Sequence, residues 1–97
     1  MTKTFKVDQD CINNGIQDTI GFCPVALSVK KTYKDVEVST TQIGIGPVED
    51  TIFFENTDQL EQWIRDFDDD KKVQEMQVCL DFEKNVASIE EDKSGSN

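Results

Sequence analysis

Met76-Gln-Val-Cys-Leu-Asp-Phe82 is the stretch that decides the fold class. Met76, Val78, Leu80 and Phe82 alternate with Gln77, Cys79 and Asp81. Successive side chains of a strand point to opposite faces, so this run predicts a strand with one apolar and one polar face. A sheet built on it meets solvent on one side, as antiparallel sheets commonly do.

Upstream of it, Asn56-Thr57-Asp58 announces a helix. Leu60, Trp63, Ile64 and Phe67 stand at i, i+3, i+4 and i+7, a single apolar stripe. Thr57 or Asn56 can accept from the first free N–H groups, and Asp58 complements the positive end of the dipole. Before that helix, Val36-Glu-Val-Ser39 alternates like a strand. Thr40 to Ile45 continues it or supplies a hairpin partner, and Gly44, Gly46 and Pro47 break the run. Asp50 to Glu55 is a further strand carrying Ile52, Phe53 and Phe54.

Nearer the start, Phe5 and Val7 alternate with Lys6 and Asp8, a short strand. Asn13-Asn14-Gly15 is a turn signal. Gly21-Phe22-Cys23-Pro24 opens a helix, since proline suits a first helical position where its missing N–H would be unpaired anyway. Val25, Ala26, Val29 and Tyr33 form its buried stripe. Lys30, Lys31 and Lys34 complement the dipole at its end. The order β-α-β-β-(β)-α-β predicts an α+β domain over residues 1–89: a small mixed or antiparallel sheet of 4–5 strands with two helices on one face. Residues 90–97 are polar and read as a disordered tail.

Charge is unevenly divided. Of a net −10, residues 1–47 contribute nothing, with five acids against five lysines; residues 48–97 hold fifteen acids against five bases. Such a field attracts cationic partners and repels nucleic acid and anionic membrane. The densest acids are Asp66-Phe-Asp-Asp-Asp70, at the end of the second helix, where carboxylates oppose the dipole. Breaches of a local rule can mark function; a solvated loop is the plainer reading.

Several chemistries fit poorly. Asp66, Asp68 and Asp70 match the first ligand positions of an EF-hand, but Lys71 replaces its glycine and Gln77 its closing glutamate, so no metal site is assigned. There is no histidine, the commonest general base and metal ligand. The three cysteines, Cys11, Cys23 and Cys79, lack paired spacing and read as free thiols. Cys23, at a helix N-terminus, is the one whose position could lower its pKa. No phosphate-loop motif is present, and no cofactor is implied. The N-terminus lacks the apolar run of a signal peptide, and a cytoplasmic protein is expected.

Cys23-Pro-Val-Ala-Leu-Ser-Val-Lys30, the Val-rich strand after it, and Trp63-Ile-Arg-Asp-Phe-Asp68 before the last alternating strand resemble an arrangement in small uncharacterised phage and bacterial proteins. The resemblance implies a mobile-element or viral origin, where compact acidic proteins often inhibit host machinery. No functional residue is carried over from it.

The sequence therefore predicts a non-enzymatic interaction module, of the phage-inhibitor or nucleic-acid-mimic kind. Its partner is a basic surface on a host or cognate protein, with no direct nucleic acid and no membrane. The expected contacts are Asp58, Glu61, Asp66, Asp68, Asp69 and Asp70, whose carboxylates can stand in for phosphates towards Lys and Arg. Two alternatives remain. One is a homodimer formed through the polar-faced last strand or an edge strand, with acidity conferring solubility. The other is a ligand-binding or thiol-dependent enzyme using Cys23 or an Asp/Glu pair.

Overall fold

The computed structural model describes residues 1–90; the residues 91–97 of the expected tail lie outside the described part, and Glu90 closes a strand. The elements in chain order are β1 (Thr2–Val7), α1 (Gln9–Asn14), α2 (Pro24–Lys30), β2 (Val36–Val38), β3 (Gln42–Ile45), β4 (Ile52–Asn56), α3 (Asp58–Asp68), β5 (Met76–Asp81) and β6 (Val86–Glu90). A short 3-10 turn, Val48–Asp50, joins β3 to β4. The domain is α+β, with a mixed sheet in the order β1-β5-β6-β4-β3-β2.

The sheet has six strands rather than four or five, and three helices rather than two. The added strand is β6. It pairs antiparallel with β5 and parallel with β4, through Glu55↔Val86 and Asn56↔Ala87. Asn85, at φ 55°, makes the tight turn into it; asparagine tolerates that left-handed region better than most residues. The added helix is α1. Asp8 caps it by accepting from the Cys11 N–H at 2.9 Å. The sheet's edge strands are β1 and β2. β5, the polar-faced strand, is paired on both sides and so has no edge to offer a second copy.

Strand alternation sorts the sheet into two faces. Phe5, Val7, Val78, Leu80, Ala87, Phe54, Ile43, Val36 and Val38 are buried on one face. Glu37, Gln42, Phe53, Glu55, Thr4 and Lys6 stand exposed on the other. Helix α3 covers the inner face over β4 and β6, laying down Leu60, Ile64 and Phe67. Burying a side chain such as Leu60 contributes about 1.5–3 kcal/mol. Thr57 is its N-cap, accepting from the Leu60 N–H at 3.4 Å. The Trp63 ring lies parallel to Phe67 at 6.3 Å and donates its Nε1–H to Gln74, holding down the loop before β5.

Helix α2 packs against both edge strands, β1 and β2, so the sheet curls and α2 closes its open side. Val25, Ala26 and Val29 are its buried stripe, and Tyr33 beyond it packs on Phe5 at 6.0 Å. Pro24 takes the first turn after the N-cap Cys23. The approach of Pro24 to Gly15 is close enough to require glycine there: a Cβ on Gly15 would lie 2.6 Å from the proline ring.

Candidate interaction surface

Helix α3 turns its apolar stripe inward, which leaves the remaining positions to solvent. At 3.6 residues per turn, Asp58, Glu61, Gln62, Arg65, Asp66 and Asp69 fall on its outer side. Four of the six expected contact acids are in that set. Glu61 is paired with Arg65 one turn on, Nη2 to Oε2 at 2.8 Å. Asp66 accepts from Gln62 Nε2 at 2.9 Å and lies 3.8 Å from the Lys71 ammonium. Asp58 and Asp69 are exposed and make no side-chain hydrogen bond or ion pair among the described residues.

Asp68 and Asp70 do different work. Asp68 accepts the backbone N–H of Asp18 at 3.0 Å, and Asp70 accepts from Gln17 Nε2 at 3.2 Å. The same Gln17 amide donates to the Phe67 carbonyl at 3.0 Å, one of the free carbonyls at the end of α3. Asp70 itself is at φ 63°. The acidic run is thus neither a free loop nor a uniform acidic face. Part of it is helix, and part holds the segment between α1 and α2 against the end of α3. Asp66, Asp68 and Asp70 reach towards Lys71, Asp18 and Gln17 in turn, and among the described residues no three acids, cysteines or histidines gather round a metal-sized space.

The thiols are buried or half-buried. Burial pushes the Cys23 thiol up, overriding the backbone N–H groups of Val25 and Ala26 that act to lower it. Cys23 is thus the small buried hydrophobe that free cysteines more often are, and burial outweighs the lowering its helix-start position could have brought. Burial also raises Cys11 and Cys79, with Asp8 adding to the first and Glu90 and Asp81 to the second.

A concave region lies on the other face of the sheet. It is a cleft of about 560 Å³ at the edge of β2, lined by Lys30, Lys34, Asp35, Glu37, Gly44 and Phe53 together with the β3–β4 turn. Glu37 pairs with Gly44, and Gly44 with Phe53, so the three form one row across the outer face. The Phe53 ring lies over the glycine: a Cβ on Gly44 would sit 3.1 Å from its Cε1. Phe53 is nonetheless 54% exposed. In sequence Ile52, Phe53 and Phe54 read alike as strand hydrophobes; only Phe54 is in the core. The alternation Ile43-Gly44-Ile45 opposite Phe53 was the signal that could have found this row.

No helix among the described residues is long and apolar enough to cross a membrane. Comparison with protein-family models, with curated proteins and with solved structures finds no match to this chain.

Proposed function

We propose that this domain is a cytoplasmic protein-interaction module whose α3 face engages a basic surface on a partner protein, in the manner of a phage-type inhibitor that occupies a nucleic-acid-binding groove. The observation that carries this reading is the outward array Asp58, Glu61, Asp66 and Asp69 on one side of a rigid helix, in a chain of net charge −10. Carboxylates fixed on a helix meet Lys and Arg with little ordering cost. Asp68 and Asp70, engaged with Asp18 and Gln17, are left out of the array.

The test is capture from nuclease-treated host lysate at low and high salt, followed by competition. The reading expects a nucleic-acid-binding protein that is retained at low salt, is released as screening grows, and loses its nucleic acid when the domain is added. A variant carrying Asp58→Asn, Glu61→Gln, Asp66→Asn and Asp69→Asn should lose capture while keeping the same unfolding temperature within a few degrees. Equal capture by that variant overturns the reading. A doubled mass with no other protein captured would favour the homodimer instead.

A further inference from the structure

The cleft beside β2 differs from the α3 face in position and chemistry. Its floor is the row Glu37–Gly44–Phe53, on the opposite side of the sheet from α3. Three features converge there. First, an aromatic ring packs against a glycine, with more than half the Phe53 surface open. Second, the Glu37 carboxylate stands at the far end of the row, and Asp35 lines the same cleft. Third, Val36 lines the cleft although its side chain is buried, so it contributes backbone. Val36 opposes Ile45 between the bonded pairs Asp35–Gly46 and Glu37–Gly44, so its N–H and C=O point away from β3. No described residue pairs with them, whereas the next outward N–H, that of Val38, is taken by the Ile20 carbonyl at 2.6 Å.

A ring face beside a carboxylate selects a cation, and a planar cation above the others, because a guanidinium can stack on the ring while its edge meets the carboxylate. The two ammonium groups lining the cleft do not fill that role. Lys30 is held by the Gly21 carbonyl at 2.6 Å and stands 4.5 Å over the Phe22 ring. Lys34 makes no ion pair or hydrogen bond among the described residues, and it opposes a cationic guest. The unpaired N–H and C=O of Val36 can take one pair of main-chain hydrogen bonds from an extended segment that crosses the cleft, the edge beyond it at Val38 being taken by Ile20.

We propose that this cleft binds the guanidinium of an arginine carried on an extended segment of a partner protein, stacked on Phe53 and paired with Glu37, with the segment's main chain hydrogen-bonded to Val36. The site uses none of the α3 acids.

The experiment uses the full chain, labelled with nitrogen-15, and two probes. One is the capped pentapeptide Val-Thr-Arg-Val-Thr; the other has citrulline for arginine, the same shape without the charge. The expected result is saturable shifts of the Val36, Glu37, Gly44 and Phe53 amides with the arginine peptide, and at least fivefold weaker binding of the citrulline peptide. Glu37→Gln and Phe53→Leu should each weaken the arginine peptide at least threefold, and Lys34→Ala should tighten it. Equal binding of both peptides, no saturable shift up to millimolar peptide, or shifts confined to α3 would each overturn the proposal. The last of these would leave the acidic-face reading standing, and equal lysate capture by the α3 variant, which overturns that reading, would leave this one standing.

Discussion

The side-chain Oδ1 of Asp68 accepts the backbone N–H of Asp18 at 3.0 Å, across fifty residues of chain. Asp18 sits at φ 57°, in the left-handed region. The bond therefore holds a conformation that the chain does not favour by itself, and a member of the acidic run anchors it.

Asp68→Ala should cost about 1 kcal/mol, the net worth of one hydrogen bond of this kind, which for a domain of this length is a fall in Tm of roughly 4–8 °C. Asp68→Asn keeps an acceptor oxygen and should cost less than half of that. Thermal unfolding by circular dichroism checks both. Equal losses for the two variants would show that the carboxylate's charge, not its acceptor, is what matters.

Asn56 is buried, and its Nδ2 donates to the carbonyls of Ser39 and Thr40, both at 3.0 Å, while its Oδ1 has no partner among the described residues. Asn56→Asp turns a carboxylate towards two carbonyl oxygens. The expected loss at neutral pH is about 3 kcal/mol, that of a buried charge left without a partner, or roughly 12–24 °C in Tm. Burial and the facing carbonyls raise the new carboxyl's pKa in the folded state. Stability relative to wild type should therefore recover as pH falls through that raised value, when the protonated acid can donate to one carbonyl. A variant equally unstable at pH 7 and pH 4 would contradict this account.

Two aspartates make stability depend on pH in the opposite sense. The Cys11 N–H holds the Asp8 carboxyl below its usual range, and the N–H groups of Lys84 and Glu83 do the same for Asp81. A carboxyl lowered on folding stabilises the native state at pH values above its unfolded pKa of about 3.9, and the contribution disappears as pH falls through the lower folded value. Asp8→Asn keeps the cap but cannot titrate. It should be less stable than wild type at pH 7, and the gap should close as pH falls through the lowered folded-state value of Asp8. Denaturant titration at a series of pH values measures the gap.

The alternation of Met76–Phe82 and the stripe Leu60, Trp63, Ile64 and Phe67 made β5 and α3 legible, because each pattern repeats over two turns or three pleats. The cap Thr57 was legible for the same local reason. β6 was not: its inward residues are Ala87 and Ile89, too small or too few to make a pattern, and its register is set by β5 and β4. The acidic run stood out in sequence, but the partners of Asp68 and Asp70 are Asp18 and Gln17, which no local rule connects to them. The ring of Phe53 gave no sign of facing outward until Gly44 was placed opposite it.

β1 pairs only with β5, and the register joins Thr2 to Asp81 and Val7 to Met76. In order of synthesis, then, β1 precedes its only sheet neighbour by nearly the whole length of the described domain. β2, β3 and β4, by contrast, are contiguous in the chain and can zip together as they emerge. Until β5 follows, Thr2–Val7 lacks its sheet partner, and Lys3 and Lys6 are charges of the kind that discourage a strand from pairing with another chain.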